Sequence, residues 1–566
     1  MFYSSRFNLS FVPCYENRLV IGEAVRKVTG SLFAKREKCD SIGGMKRKAS
    51  APVFKPYVMN QVALMPPSYD EMIPADHLVR VVNKAVEKID LSSLLAQYPG
   101  GGRSSYHPQM LLKVLVYAYA EKIYSSRRIA KALRENIYFM WISGESTPDF
   151  RTINDFRGSR MKGVIDEVFS AVLEHLIAAG HVKLEHYFLD GTKIEADANK
   201  HKVVWAKRRE TYHERVQAQI KELLKHIEQV NAEEQEEYGD DDLEEMGGNG
   251  QTEVNSELLQ KKIDELNQKL RERVRPKKGT LPARKALKKL EEDCLVWLKK
   301  YEQQAETLGG RSSYARTDPD ASCMRMKEDR GAEKPWPKPA YNVQIGTEGQ
   351  FIVGFSVHGR AGDTSCLIPH LENLRSHLGR LPRNVITDAG YGSEENYAYV
   401  EQNALGNYLK YNTFYQDTHH YRKPELLRKR QFLAENFPYD QKHDEFICPA
   451  HQPLQYQYTS RYTSDNGYVT NRRVYECQAC GQCPLKSECT RAKGNRKIRI
   501  SLRLLEYRRQ ARANLTSEAG QRLRSARSIE VEPVFGIIKH NMGFRRFHLR
   551  SLEKVKTEWG LVSTRP

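Results

Sequence analysis

The sequence predicts a mixed α/β protein preceded by an all-α N-terminal part, and three features carry that prediction. Apolar residues recur at three- and four-residue spacing in His77-Leu-Val-Arg-Val-Val, Met110-Leu-Leu-Lys-Val-Leu-Val-Tyr and Ser126-Arg-Arg-Ile-Ala-Lys-Ala-Leu, the period of amphipathic helices. Farther along, Ala340-Tyr-Asn-Val-Gln-Ile and Phe351-Ile-Val-Gly-Phe-Ser-Val alternate or run wholly apolar around a Gly-Thr-Glu-Gly turn, which is how neighbouring strands read. Asp190 and Asp388 each follow a short apolar run, Tyr187-Phe-Leu and Val385-Ile-Thr, as a buried parallel strand delivering a carboxylate at its end would. A length of 566 residues exceeds what one core supports and implies about two to four units.

Taken in order, residues 1–44 carry little pattern and are expected to be a non-native or disordered leader, with Met45-Lys-Arg-Lys-Ala-Ser reading as the start of the protein proper. Residues 45–165 are helical, with breaks at Tyr98-Pro-Gly-Gly-Gly-Arg and Ser146-Thr-Pro-Asp. Within them Tyr124 to Arg157, carrying Arg127, Arg128, Lys131 and Arg134 on its first helix, fits a helix-turn-helix, and fits equally a solvated cationic face. Residues 166–200 open the α/β part with the strand before Asp190. Residues 201–309 turn rich in Glu, Lys, Gln and Leu at coiled-coil-like spacing, with an acidic linker at Glu233 to Gly250; they read as a helical hairpin with a third helix after Pro282. The sheet is expected to resume at Arg316-Thr-Asp-Pro-Asp within residues 310–415, and a helix from Cys366 to Leu378 leads to the Asp388 strand. Residues 416–500 are Cys-rich, and residues 501–566 bring Glu532 on a helix where Phe535, Ile538 and Met542 recur at helical spacing.

Composition narrows the partners. A net charge of +19 and a pI near 9.3 favour a polyanion, although a merely basic or ribosome-associated enzyme has the same balance. No apolar run approaches the ~18 residues of a membrane span; the nearest, Met110 to Ala120, is broken by Lys113. No signal peptide is recognisable, which points to the cytoplasm. Ten cysteines in such a chain argue for thiols or metal ligands before disulfides. Cys477-x2-Cys480-x2-Cys483-x5-Cys489, with Cys448 upstream, offers more thiolates than one structural zinc needs; an iron–sulfur cluster and unligated thiols are the alternatives.

Two aspartates and a helix-borne glutamate on a basic chain suggest divalent metals held by carboxylates and acting on a phosphodiester. Asp190, Asp388 and Glu532 are therefore the candidate catalytic ligands of Mg2+ or Mn2+. Each has a plainer rival: Asp190-Gly191 fits a hairpin turn, Asp388-Ala-Gly a strand-ending turn, and Glu530 competes with Glu532. Pro533 belongs in a helix's first turn, which favours Glu532 at the helix start. Asp197 and Glu195 are weaker candidates, expected to be exposed. Lys539 suits a phosphate contact, its rival role being surface solubility. Arg545 and Arg546, set between Phe544 and Phe547, suit phosphate contact beside either base stacking or core packing.

Glu532-Pro-Val-Phe-Gly-Ile-Ile-Lys539 and Asp388-Ala-Gly-Tyr-Gly resemble motifs of the DDE transposases of bacterial insertion sequences. The group in question has a last motif reading Tyr, Arg, Glu, Lys, with six residues between Glu and Lys. The resemblance runs from about Met45 to Leu561. It departs where the arginine expected four residues before the glutamate is Ser528, with Arg527 beside it, and where Ser551 replaces a usual glycine. It implies a ribonuclease-H-like catalytic core interrupted by the helical and Cys-rich insertions, and an N-terminal domain that binds the element's terminal inverted repeats. It further implies cleavage at the element ends, joining to target DNA, and a homodimer on paired ends in the bacterial nucleoid. A catalytically impaired remnant that only binds DNA is the alternative, since the chain stops at Ser-Thr-Arg-Pro and the last helix is expected to lack packing partners; a stand-alone nuclease is a third reading.

Overall fold

The structure is a computed structural model that describes residues 68–98, 105–238, 254–272, 280–331, 336–418, 428–464 and 466–564. The expected leader, the start at Met45 and most of the acidic linker lie outside these residues.

The central sheet is built from β1 (His186–Glu195), β4 (Ser322–Met324), β5 (Lys338–Glu348), β6 (Phe351–His358), β7 (Asn384–Thr387) and β8 (Gly406–Leu409), counted after the small ribbon of β2 (Val203–Trp205) and β3 (Ser313–Ala315). β5 lies antiparallel to β1 from Phe188↔Thr347 to Glu195↔Ala340, and carries β6 and β4 on its other edge. β7 runs parallel to β1 from His186↔Asn384 to Leu189↔Thr387, and β8 runs parallel to β7. The strand order is thus β6-β5-β1-β7-β8, with three parallel strands on one side and two antiparallel strands on the other. Strands β1 and β5 are buried almost throughout, including the polar residues Asp190, Asn342 and Gln344.

The predicted Arg316-Thr-Asp-Pro-Asp strand is a turn joining β3 to β4. Asp318 in it accepts from Tyr341 and from the Ser551 backbone at 2.9 and 3.1 Å, so the segment that looked like a strand end ties two loops together. Helix Leu367–Leu378 falls where expected. Its His370 meets the Tyr187 hydroxyl at 2.6 Å and Ser356 at 2.8 Å inside the core. Room for that tyrosine comes from the facing strands: a Cβ on Gly346 would lie 1.8 Å from its ring and one on Gly354 2.3 Å from its oxygen.

The N-terminal part is helical, with helices Leu78–Glu87, Pro108–Ala120, Ser126–Glu135, Ile137–Ile142, Phe150–Asp155 and Val164–Ala178. In the segment proposed as a helix-turn-helix, Ser126–Glu135 is followed by the short helix Ile137–Ile142 and by Phe150–Asp155, which continues as a π-turn over Phe156–Arg160. Helix Leu552–Ser563 packs on β6, on Val164–Ala178 and on Pro108–Ala120, with Trp559 fully buried. Its buried Glu558 accepts from Tyr119, His548 and Leu549, and the buried Arg157 donates to Tyr119 at 2.9 Å. The last helix is therefore the joint between the N-terminal helices and the sheet. The expectation that it lacks partners is corrected.

Between β2 and β3, helices Ala206–Tyr238, Ser256–Glu272, Thr280–Lys289 and Leu295–Leu308 share a core of their own around Ile220, Leu259, Ile263, Leu290 and Leu298. The third helix of the prediction runs on from Thr280 through a π-turn at Leu290–Cys294 to Leu308, and its second half packs back on the first two helices. A second sheet, β9 (Tyr439–Asp440), β10 (Glu445–Ile447), β11 (Pro453–Thr463), β12 (Val469–Cys477) and β13 (Lys497–Ile500), is antiparallel throughout and holds the Cys-rich segment.

Candidate active site

Pairing between β1 and β7 stops at Leu189↔Thr387, so the next residue on each strand is an aspartate, and the two stand side by side. Asp190 is not at a strand end, as the sequence suggested, because β1 continues to Glu195 against β5. It marks the point where β1 outruns its parallel neighbour. The hairpin-turn rival for Asp190-Gly191 is excluded by the same pairing. Asp388 does end its strand: its Oδ1 accepts from the Gly390 backbone at 2.8 Å and caps a short 3-10 turn.

Glu532 arrives from elsewhere. It is the first residue of the short helix Glu532–Gly536, with Pro533 in the first turn, and the helix continues as a π-turn over Ile537–Asn541. Phe535, Ile538 and Met542 are buried as the spacing predicted. Just upstream, in the last turn of helix Glu518–Glu530, Arg527 reaches all three acids. Its Nη2 lies 3.1 Å from Asp190 and 3.9 Å from Asp388, and its Nη1 lies 3.9 Å from Glu532. Glu530, the rival of Glu532, is turned to the Gln350 backbone at 2.8 Å.

Burial shapes the charge here. The Asp190 side chain is 10% exposed, against 41% for Asp388 and 61% for Glu532. Its carboxyl is held above the ordinary value because burial outweighs the pull of Arg527 and Lys327, and the charge of Asp388 adds to the rise. A half-buried group of hard oxygen donors with more negative than positive charge fits a divalent cation of the magnesium type.

A cluster of bonded polar groups lies beside the aspartates, and sequence patterns gave no sign of it. Asp363, in the turn after β6, accepts at Oδ1 from Lys193 at 3.1 Å, Asn342 at 2.7 Å and Gln344 at 3.1 Å. A Cβ on Gly191 would fall 2.3 Å from Gln344 and 2.9 Å from Asp363. The glycine after Asp190 is thus required by the close approach of these side chains. The buried Tyr391 donates to Gln344, and burial, with the charges of Asp363, Asp190 and Asp388, keeps its hydroxyl far from ionising. The only sequence signal for Asp363 is a Gly-Asp-Thr turn, which is too common to single out.

Lys539 is not on the surface. Its ammonium is paired with Glu328 at 2.9 Å and donates to the Lys193 carbonyl at 3.1 Å, and burial pushes its pKa down against the pull of Glu328. Phe544 and Phe547 are both core residues at 1% exposure, which excludes base stacking. Arg545 donates to the Lys539 carbonyl, and Arg546 pairs with Asp197 and Glu195; those two acids are half-buried, not exposed as expected. Arg127, Arg128 and Lys131 lie on the outer face of their helix, whose inner face is Ile129, Ala130 and Leu133. The five cysteines Cys448, Cys477, Cys480, Cys483 and Cys489 surround one small cavity in the second sheet's module.

A mixed sheet that gathers three acids where neighbouring parallel strands part is the architecture of a carboxylate-centred site. Two families match the chain: Transposase domain (DUF772) over residues 67–159, and Transposase DDE domain over residues 447–565. Both matches are to transposase families, and together they indicate an insertion-sequence DDE transposase. No curated protein and no solved structure matches it. The two matched regions meet in the structure through Arg157, Tyr119 and Glu558. Among the described residues, no helix is long and apolar enough to cross a membrane.

Proposed function

We propose that this transposase binds the terminal inverted repeats of its element, cleaves at the element ends and joins them to target DNA. The observation that carries the reading is the convergence of Asp190, Asp388 and Glu532, from two strands and a helix far apart in sequence, on the single guanidinium of Arg527. The strand order β6-β5-β1-β7-β8 supports a ribonuclease-H-like core, and the helical and Cys-rich segments are its insertions. Arg527 takes the place of the arginine in the Tyr, Arg, Glu, Lys group, displaced by one residue.

Asp190, Asp388 and Glu532 would hold magnesium or manganese, which when bound neutralises charge at the attacked phosphate and makes an oxygen nucleophile reactive. The protein's own groups set the geometry. Gly191 admits the Gln344 and Asp363 side chains beside Asp190, and the backbone N–H groups of Gly191 and Gly390 donate to Asp190 and Asp388. Arg527 shares its charge among the acids and presents a planar donor to a phosphate arriving between them. Lys539, held ready by Glu328, supplies a compact charge for a neighbouring phosphate. Arg127, Arg128 and Lys131 offer phosphate contacts outside the site, and Arg545 does so beside it. Processing of two ends together calls for a homodimer, acting in the cytoplasm at the nucleoid.

The test is cleavage of a labelled duplex carrying the terminal repeat, with magnesium, by the chain and its Glu532→Gln variant. Cleavage at the repeat boundary by the first alone supports the reading. Binding by both without cleavage by either overturns it in favour of a DNA-binding remnant.

A further inference from the structure

The module that carries the second sheet has little to hold it together. Its buried residues are Phe437, Phe446, Leu454, Tyr475, Ile498 and Ile500, with Cys477 and Cys480, while β11 is exposed along most of its length. So small an apolar core needs a further tie.

Cysteine thiols stand where such a tie would be. Cys448 in the turn after β10, Cys477 at the end of β12, and Cys480, Cys483 and Cys489 beyond it line one small cavity of about 20 Å3. The cavity offers the space of about one water-sized sphere. Phe432, Pro449, Ala479 and Leu485 make most of the remaining wall apolar. None of the five thiols is in a disulfide. The Cys448 sulfur accepts a backbone N–H from Gln452 at 3.4 Å, and the Cys480 sulfur accepts one from Arg496 at 3.3 Å. Cys448 and Cys480 lie close enough to act electrostatically on both Cys477 and Cys489, and Cys483 acts on Cys489, so the thiols share a centre.

We infer that this cavity binds one zinc ion through Cys448, Cys477, Cys480 and Cys489, tying the β10–β11 turn to the end of β12 and to the segment after it. Four soft sulfur donors select zinc over magnesium or calcium. The spacing from Cys483 to Cys489 and the position of Pro484 do not match the common iron–sulfur run. Binding holds the Cys448 turn and the 480–489 segment on one ion, and each ligand thiol releases its proton to solvent. Cys483 is the spare thiol. The site is far in sequence from the carboxylates and independent of the proposed DNA chemistry.

Elemental analysis of the full chain, purified without added metal, should find about one zinc per chain and no iron. Iodoacetamide labelling read by mass spectrometry should modify Cys483 at once, and the other four only after a strong chelator is added. Cys489→Ser should lose the zinc and Cys483→Ser should keep it. A zinc-free chain, stoichiometric iron with visible absorption, or chelator-independent labelling of Cys448 and Cys477 would each overturn the assignment. The labelling uses the unaltered chain, so the result stands even where a variant fails to fold.

Discussion

Replacing Arg527 by Gln tests the site at its centre. The pair with Asp190 spans 3.1 Å between side chains 19% and 10% exposed. At an effective dielectric constant of about 20 its gross attraction is roughly 5 kcal/mol, much of it offset by desolvation. Loss of the guanidinium leaves a buried carboxylate without its closest partner, a cost of about 3 kcal/mol. The contacts to Asp388 and Glu532, both 3.9 Å long and to acids 41% and 61% exposed, add well under about 1 kcal/mol each after screening. The variant should therefore unfold several degrees below the parent in EDTA at neutral pH. The loss should depend on pH. Arg527 is the largest influence lowering the Asp190 pKa, which burial already raises; without it the folded state holds that proton still more tightly than the unfolded state. Stability of the variant then falls as pH rises from the ordinary carboxyl value of 3.8 through the raised folded value, and recovers on acidification. Magnesium should restore more stability to the variant than to the parent, because in the parent the guanidinium competes for the same oxygens. Equal stability of the two proteins in EDTA, or an equal response to magnesium, would refute the shared-guanidinium account.

Two further outcomes rest on the scaffold. Ser551 has φ 75° and ψ 146°, a region that suits glycine, and its backbone N–H to Asp318 does not need the side chain. Ser551→Gly should therefore raise stability by about 1 kcal/mol after the flexibility cost of glycine, visible as a higher melting temperature; no gain would mean the strain is relieved elsewhere. Burial holds His370 neutral, with its pKa lowered to about 3, so the unfolded chain binds that proton first. Stability should decline as pH falls below about 6.5, and His370→Gln, though weaker at pH ~8, should show a shallower decline over the same interval in urea titrations.

Much of the site was legible because its signals are local. An apolar run ending at an aspartate, Pro533 after a glutamate, and the Glu532 to Lys539 spacing each depend on a few adjacent residues, and all three acids lie within reach of Arg527. The helices of the N-terminal part and the helix Leu367–Leu378 were equally plain, since a periodicity of 3.6 is imposed by neighbours along the chain. Other features depend on which segments meet in space, and no window of sequence contains that. The continuation of β1 past Asp190 is set by its partner β5; the place of Asp363 is set by side chains on β1 and β5; the burial of Lys539 is set by Glu328, two hundred residues earlier. Arg527 had the charge to matter but stood one residue from the expected position, and only the packing of helix Glu518–Glu530 against β7 turned it onto the acids. The chain's residues thus fixed the elements and the chemistry available to them, while long-range strand pairing and burial, which act between segments remote in sequence, decided the partners and the charge state each group would have.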